Sequence, residues 1–444
     1  MLSFPRGFLW GVSTSAHQFE GHNNRNQWAT WERTGRIRSG HSSRNGCEWW
    51  REASRDLTLC RELGLKAIRI SVDWGRLEPA EGTWCWDTVY RYRALLEEIH
   101  RVGMRPFITL HHFTHPQWFE ERGGFNRRSS TARFARFAEF VVSQMGGLCS
   151  DWLTFNEPNV YTALGYLFGE FPPGERNQLW KYARVMTNMH RAHAVAYDRI
   201  KAVQADASVG IATNWVEFRP ATPSRPDRFL AGLYDSVFNR STLGLLGSGS
   251  MPLPLRMLAS EVPEVTGKLD FVGLNVYNRL YVKMPSDAAS RKTGGIFVPS
   301  DVPQGDHGCE LPYGEAFPHA ITSAAQAYSI LKVPIYITEN GVPDRSDRIR
   351  PWVIVATLRN VHALIEKGVD IRGYFHWSIV DNFEWSEGWT LRFGLYEVDP
   401  RTQDRTPRPS AELYRNIVGQ NGLDDEQLSR FSDPPVPTAP VMGR

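Results

Sequence analysis

Several features that mark particular protein classes are missing from this chain. The five cysteines form no C-x-x-C pair, and they stand far apart at Cys47, Cys60, Cys85, Cys149 and Cys309. This spacing argues against a disulfide framework and against a zinc site. No segment approaches the roughly 18 consecutive apolar residues of a membrane span, and the N-terminus lacks a charged segment followed by a long apolar stretch. We therefore expect a reduced, soluble, cytoplasmic protein.

Markers of nucleic-acid, dinucleotide and metal binding are also absent. The net charge is only +3 and no dense run of Lys and Arg occurs, which argues against a dedicated nucleic-acid binder. No G-x-G-x-x-G follows the first apolar segment, so a dinucleotide site on an open doubly wound sheet is disfavoured. His111 and His112 have no H-E-x-x-H context. We expect no cofactor, no metal, no nucleic acid and no membrane partner; the oligomeric state stays open.

What the chain does contain is a regular alternation of two kinds of segment. Short apolar or β-branched segments predict eight strands: Phe8–Ser13, Ala67–Trp74, Pro106–Phe113, Trp152–Glu157, Ser208–Trp215, Asp270–Tyr277, Ile335–Glu339 and a last one from Gly373. Between and after them, apolar periodicity and stop signals predict helices: Glu48–Leu63, Asp87–Val102, Thr131–Met145, Leu179–Val203, Arg228–Asn239, Glu315–Leu331, Ile349–Lys367 and Ser410–Val418.

Eight strand-then-helix units without a linker predict an α/β protein formed by a single (β/α)8 TIM barrel. We assign residues 1–420 to this barrel. Residues 421–444 are polar and rich in proline, and they are predicted to form a flexible C-terminal tail. In such barrels the active site lies at the C-terminal ends of the strands.

Three of the predicted strands end in groups that a core would not bury. One ends at Asn156-Glu157 and another at Glu339-Asn340. The last one ends in a segment that carries Asp381, Asn382, Glu384, Trp385 and Trp389. Because all strand ends of a parallel barrel meet at one rim, we expect these three to form one site.

Two carboxyl groups facing each other are what glycosidic bond cleavage requires. One protonates the leaving oxygen and the other acts on the opposite side of the anomeric carbon. Glu157 and Glu339 end strands four and seven of eight, so they are predicted to face each other across the rim. A separation of about 5 Å would imply retention of configuration, and roughly 6.5 Å or more would imply inversion.

The neighbours of the two glutamates predict different roles. Pro158 follows Glu157 and removes one backbone donor that could stabilise the ionised form. Arg69, near the end of strand two, could reach Glu339 and favour its ionised form. We therefore predict that Glu157 is the acid/base and Glu339 the nucleophile.

Four motifs, in order along the chain, resemble glycoside hydrolase family 1, the β-glucosidase family: Gln18-Phe19-Glu20-Gly21, Thr154-Phe155-Asn156-Glu157-Pro158, Ile337-Thr338-Glu339-Asn340-Gly341, and Trp377-Ser378 with Asp381-Asn382-Phe383-Glu384-Trp385. The resemblance spans about residues 4–418. It implies the same roles for Glu157 and Glu339. It also implies a set of residues that hold or orient the sugar: Gln18, His112, Asn156, Asn275, Tyr277, Trp377, Glu384 and Trp385.

The predicted function is a retaining β-glycosidase that hydrolyses terminal β-D-glucosyl residues, and also galactosyl or fucosyl residues, of small β-glycosides or short oligosaccharides. The alternatives are a transglycosylating β-glycosidase and a catalytically dead sugar-binding protein. Phe113 departs from the family, which usually has Trp there. Glu384 stands where the 6-phospho branch of the family holds phosphate, so non-phosphorylated sugars are favoured. Trp180, Trp215 and Phe218 are predicted to line an outer subsite.

Overall fold

Eight parallel strands pair in chain order and close into a ring in the computed structural model, which describes residues 1–307 and 313–435. The ring is closed because the seventh strand pairs with both the sixth and the eighth. The strands are β1 (Leu9–Ser13), β2 (Ala67–Ser71), β3 (Arg105–His111), β4 (Asp151–Asn156), β5 (Ser208–Pro220), β6 (Phe271–Val282), β7 (Ile335–Asn340) and β8 (Ile371–His376). The predicted (β/α)8 barrel is thus confirmed.

A helical segment follows every strand. The principal helices are α1 (Trp49–Glu62), α2 (Trp86–Arg101), α3 (Ser130–Met145), α4 (Leu179–Val203), α5 (Arg225–Tyr234), α6 (Ala320–Tyr328), α7 (Arg350–Glu366) and α8 (Pro409–Gln420). After α5 the chain continues as a π-helix, Asp235–Asn239, and a further helix, Arg240–Ser248.

Three predicted boundaries were wrong by several residues. The helix predicted from Glu315 begins only at Ala320, because Glu315–Ala316 pairs with β6 as a short antiparallel strand. Strands β5 and β6 run several residues beyond their predicted ends and stay paired there. Their register places Asn214 beside Asn275, at the height of the predicted site.

Each strand contributes one side chain to a layer that fills the inside of the barrel. The buried members are Ala67, Phe107, Leu153, Ala212, Phe271, Tyr336 and Phe375, with Leu9 packed against them. The rings of Phe271, Tyr336 and Phe375 pack edge to face against Phe107, with centroids 5.1–6.1 Å from its own. This layer closes the barrel below the rim, so the polar groups above it lie in a blind space.

The two segments without predicted regular structure contain short elements. The predicted loop 283–313 includes a helix, Ala288–Lys292, and a strand, Ile296–Phe297; residues 308–312 lie outside the described part. In the predicted tail, Gly422–Leu423 pairs with Leu2–Ser3, and a capped helix spans Asp425–Arg430. The flexibility of the tail stays a prediction, since residues 436–444 are not described.

A buried ion pair anchors the long segment that follows β8. Both Oδ atoms of Asp381 accept hydrogen bonds from Arg408, at 3.0 and 2.9 Å, and Oδ1 also accepts from the backbone N–H of Gly394 at 2.9 Å. Asp381 is fully buried and Arg408 nearly so. The anchor therefore fixes the start of the segment that carries Glu384.

We expect Asp381→Ala to lower the free energy of unfolding by about 3–5 kcal/mol, because the Arg408 guanidinium would stay buried without its partner. Urea denaturation followed by tryptophan fluorescence measures this. The control is Asp370→Ala, which removes an exposed ion pair with Arg372 and should cost at most about 1 kcal/mol. Similar losses in both variants would contradict the anchoring role.

Candidate active site

The two predicted glutamates lie at the rim, and both are almost completely buried. Glu339 is the next-to-last residue of β7, and Glu157 follows β4 directly, where the chain turns into a short helix. Their exposed fractions are 4% and 5%. Glu157 has a φ of +45°, a conformation that costs free energy for a side chain with a Cβ and that is concentrated at functional sites.

Arg69 links the two halves of the site. Its three guanidinium nitrogens each have one partner: Nε donates to Thr109 Oγ1 at 2.9 Å, Nη2 to Asn156 Oδ1 at 2.6 Å, and Nη1 to Glu339 Oε1. Arg69 is fully buried, so this charge is not screened by water. The predicted contact between Arg69 and Glu339 is present.

Tyr277 and Asn275, both on β6, contact one glutamate each. Tyr277 donates to Glu339 Oε2 at 2.6 Å, so both oxygens of Glu339 accept a hydrogen bond. Asn275 Nδ2 donates to Glu157 Oε1 at 2.8 Å and to Asn156 Oδ1 at 3.0 Å. Neighbouring residues of one strand thus hold the two carboxyl groups in a fixed relation.

Burial and charge separate the protonation of the two glutamates. Burial, followed by repulsion from Glu339, raises the pKa of Glu157 to about 8, against the opposing effect of its amide donors. Burial also raises the pKa of Glu339, but the Arg69 charge and the Tyr277 hydrogen bond oppose that rise. Near neutral pH the proton therefore belongs on Glu157 and the negative charge on Glu339.

Gln18 and Glu384 face each other on a second side of the space. Gln18 Nε2 donates to Asn382 Oδ1 at 2.8 Å and to Glu384 Oε2 at 3.1 Å, and Gln18 Oε1 accepts from Ser15 at 2.6 Å. Burial, then repulsion from Glu339 and Glu157, raises the pKa of Glu384 to about 8. Three carboxyl groups thus influence one another in one buried space.

His112 and two tryptophans form an aromatic wall beside these groups. The His112 ring lies 6.1 Å from the rings of Trp377 and Trp385, at interplanar angles of 25° and 18°. His112 Nε2 pairs with Asn156 Nδ2 at 3.1 Å. Burial and the Arg69 charge hold the pKa of His112 well below its usual range, so this imidazole is neutral. The predicted sugar-holding residues therefore all lie around one space.

Two residues at the site were not predicted. Asn214 on β5 donates from Nδ2 to Glu157 Oε1 at 3.0 Å. Tyr313 lies with its ring centroid 6.2 Å from Tyr277, and the charges of Glu384, Glu157 and Glu339 add to burial in raising its pKa. Asn214 lies near the predicted end of an apolar strand, as Asn275 does, which was a usable signal. Tyr313 ends a segment rich in Gly, Pro, Ser and Asp, which carried no such signal.

The predicted outer-subsite aromatics lie elsewhere. Trp215 faces the helices outside the barrel, where it contacts Tyr328 and the Arg240 guanidinium. With Phe218 it lines a cavity of about 620 Å³. Trp180 is exposed on the first turn of α4, under Arg184. Neither Trp180 nor Trp215 has a recorded contact with the two central glutamates.

Each helix within residues 1–307 and 313–435 is too short or too polar to cross a membrane. The same residues contain no cluster of three or more His, Cys, Asp or Glu side chains arranged to hold a metal ion.

Comparison with known proteins places the chain among glycosidases. The model of glycosyl hydrolase family 1 matches residues 1–423. Beta-glucosidase A of Thermotoga maritima is 32% identical over 95% of this chain and 99% of its own length. A beta-galactosidase of Sulfolobus acidocaldarius is 29% identical, over 98% and 99%. The structure of a beta-glycosidase from Pyrococcus horikoshii superposes with a TM-score of 0.86 at 34% identity, covering 98% of this chain and 99% of that one.

The raised pKa of Glu157 gives a stability prediction. In the unfolded chain a Glu titrates near pH 4.3, whereas the folded value is about 8. The folded state therefore binds the proton more tightly, and this contribution is full below about pH 4.3 and lost as pH rises through 8. Glu157→Gln, which has no charge to bury, should exceed the wild-type melting temperature by about 2–4 °C at pH 9.

The same melting curves at pH 5 should show a smaller difference between the two proteins, because Glu157 is then protonated in the folded state. Glu261→Gln, at an exposed ion pair with Arg256, serves as the control and should show no such pH dependence. A constant offset between wild type and Glu157→Gln from pH 5 to pH 9 would contradict the assignment.

Proposed function

The chain belongs to glycosyl hydrolase family 1, and from this we propose that it is a retaining β-glycosidase in which Glu339 is the nucleophile and Glu157 the acid/base. The observation that carries the proposal is the unequal support of two buried carboxyl groups, of which one feels the charge of the other. Glu339 receives a cation and a phenol, Arg69 and Tyr277, whereas Glu157 receives only amides.

In the first step Glu339 attacks the anomeric carbon from the face opposite the leaving group. A bond forms between a carboxylate oxygen and that carbon, and the glycosidic C–O bond breaks. Its electron pair goes to the leaving oxygen, which takes the proton from Glu157. The transition state carries positive charge on the sugar ring, so the anionic form of Glu339, favoured by Arg69, stabilises it.

In the second step water takes the place of the departed alcohol. Glu157, now ionised, removes a proton from the water while the oxygen attacks the anomeric carbon, and the ester bond to Glu339 breaks. Glu157 is protonated again and Glu339 is again a carboxylate. Two inversions at one carbon give net retention. The charge on Glu157 in the intermediate is tolerated because Glu339 is then an uncharged ester.

The remaining polar groups suit the hydroxyls of one pyranose ring. Gln18 offers an amide and Glu384 a carboxyl group, which can each contact two hydroxyls. Trp377 and Trp385 offer apolar faces on which a sugar ring can stack. We infer that β-glucosides are the principal substrates and that galactosides and fucosides are also accepted. The names of the similar proteins, a beta-glucosidase and a beta-galactosidase, support this range.

Phosphorylated sugars are disfavoured, for a reason that the structure refines. With a pKa of about 8, Glu384 is largely protonated at neutral pH, so its charge alone does not exclude a phosphate. Among the described residues, however, Gln18 is the one side chain that hydrogen-bonds Glu384. No described Lys or Arg forms an ion pair with Glu384. A phosphate there would be desolvated without a cation.

We further propose that the enzyme acts in the cytoplasm on small β-glycosides or short oligosaccharides, and that it needs no cofactor. The four described cysteines, Cys47, Cys60, Cys85 and Cys149, are free thiols. Free thiols are usual in a reducing compartment.

The roles of the two glutamates are tested by removing each one. Glu339→Gly should lower kcat on aryl β-glucosides by at least about 10⁴-fold, as removal of a nucleophile generally does. Added azide should restore turnover and yield the α-glucosyl azide, because it fills the space on the nucleophile's face. Glu157→Ala with azide should instead yield the β-glucosyl azide, which NMR distinguishes.

The reverse pattern of azide products would exchange the two roles. Unchanged hydrolysis in Glu339→Gly would contradict the mechanism altogether. Full ligand binding with no hydrolysis of any glycoside by the wild type would favour a sugar-binding protein instead, and products carrying an added acceptor sugar would favour transglycosylation.

Substrate range is tested with aryl β-glucosides, galactosides, fucosides and 6-phosphoglucosides at equal concentration. We expect the 6-phosphoglucoside to have a kcat/KM at least about 10²-fold below that of the glucoside, because an unpaired desolvated charge costs several kcal/mol. A preference for the phosphorylated substrate would contradict the interpretation of Glu384.

A further inference from the structure

Two amides approach the same oxygen of Glu157. Asn214 and Asn275 are register partners on the adjacent parallel strands β5 and β6, so their side chains lie side by side at one height. Their Nδ2 atoms are 3.0 and 2.8 Å from Oε1 of Glu157. Among the described residues, no side chain or backbone group is recorded as a hydrogen-bond partner of Oε2.

This asymmetry decides which oxygen carries the proton. An oxygen that accepts two N–H donors presents its lone pairs to them, and a proton placed on it would point at other protons. In the protonated acid, Oε1 is therefore the carbonyl oxygen and Oε2 the hydroxyl. Oε2 is also the oxygen left without a protein partner, and so the one that can face a substrate.

The orientation of Asn275 is set by a third side chain. Thr338 Oγ1 donates to Asn275 Oδ1 at 2.6 Å, so the amide cannot turn its oxygen toward Glu157 without losing that bond. The approach is possible because β6 has a glycine at Gly273, where a Cβ would lie 2.6 Å from Thr338 Oγ1. Thr338 thus ensures that Asn275 presents its N–H₂ group to the acid.

The position of Asn214 is set by a clamp from the helix that Glu157 starts. Asn159 Nδ2 donates to the carbonyl of Asn214 at 2.9 Å, and the N–H of Asn214 lies 3.3 Å from Asn159 Oδ1. Glu157 itself donates its backbone N–H to Ala212 on the same strand at 2.8 Å. The acid and Asn214 are therefore tied together at two points.

We propose that Asn214 is a positioning residue for the acid step: together with Asn275 it holds Oε1, so that the proton of Glu157 resides on Oε2 and faces the leaving oxygen. The inference rests on the proposed function of Glu157 and adds a residue with a separable effect. Asn214 itself needs no contact with the substrate for this role.

The effect is separable because only some substrates need the proton. A 2,4-dinitrophenolate leaves without protonation, whereas an alkoxide or sugar leaving group does not. Since kcat/KM reports the first irreversible step, we compare it for 2,4-dinitrophenyl β-glucoside and for cellobiose. Asn214→Leu keeps the side-chain shape and removes the donor. It should lower kcat/KM for cellobiose by at least about 10-fold, a fraction of the usual acid contribution. It should lower kcat/KM for the dinitrophenyl substrate by less than about 3-fold.

The pH profile gives a second readout that a purely structural role would not change. The titratable and charged groups around Glu157 are Glu339, Glu384, Arg69, Tyr277 and Tyr313. None of them is altered in Asn214→Leu. Removing an N–H donor from the carboxylate disfavours the ionised form, so the alkaline limb of kcat/KM for cellobiose should move to higher pH.

A double-mutant cycle ties the effect to the acid. In a Glu157→Gln background the proton is gone, so adding Asn214→Leu should cause no further loss on cellobiose. The matched control is Asn239→Leu, which removes a buried amide that donates to Val216 on the same strand at 2.8 Å. If Asn239→Leu lowers kcat/KM at all, it should lower it equally for both substrates.

Equal losses on both substrates in Asn214→Leu, a loss that persists in the Glu157→Gln background, or no loss at all would overturn the proposal. A loss selective for cellobiose in Asn239→Leu would assign the effect to strand disturbance and would also overturn it. If Glu157→Gln itself fails to separate the two substrates, the proposed function fails instead, and the two failures are thereby distinguished.

Discussion

The gathering of three carboxyl groups around one space is the constraint on which this site depends. Glu157 and Glu339 are almost completely buried and Glu384 is half-buried, and this loss of contact with water raises the pKa of all three. One cation, Arg69, contacts Glu339 directly. The Arg69 charge favours the ionised form of the acid it contacts, and a pKa of about 8 for both Glu157 and Glu384 keeps protons in the site at neutral pH. In the proposed mechanism, this shortage of positive charge makes an acid available next to a nucleophile.

Two parts of the fold support this arrangement, one below the site and one beside it. The layer of buried side chains from all eight strands fills the barrel below the site. Such a low-dielectric base strengthens the electrostatic interactions above it. On the other side, the ion pair of Asp381 and Arg408 holds the segment that carries Glu384. Neither device touches the reacting groups, yet both determine where the charges lie.

The two glutamates differ through their partners rather than through their depth. Both are buried to the same extent, but Arg69 and Tyr277 supply charge and a strong donor to Glu339, while Glu157 receives neutral amides. Asn275 connects the halves, because it contacts Glu157, Asn156 and, through Thr338, the strand that carries Glu339. Hydrogen bonds in such a network fix the positions of the side chains. The neutral amides can therefore hold the acids in place without adding charge to the site.

The sequence alone was sufficient to predict the barrel, the positions of Glu157 and Glu339 at its rim and the contact of Arg69 with Glu339. These depend on local signals, namely apolar strands of period two and polar residues at their ends. It also predicted that Gln18 and Glu384 lie at the same site, through motifs that resemble a known family. The contact of Asn214 with Glu157 and the orientation of Trp215 were revealed by the tertiary structure, although the position of Asn214 near a predicted strand end was a usable signal. Their directions depend on the register of β5 against β6, and a shift of one residue would exchange the inward and outward faces. The place of Tyr313 beside Tyr277 was also revealed only by the tertiary structure, since it depends on contacts with distant parts of the chain.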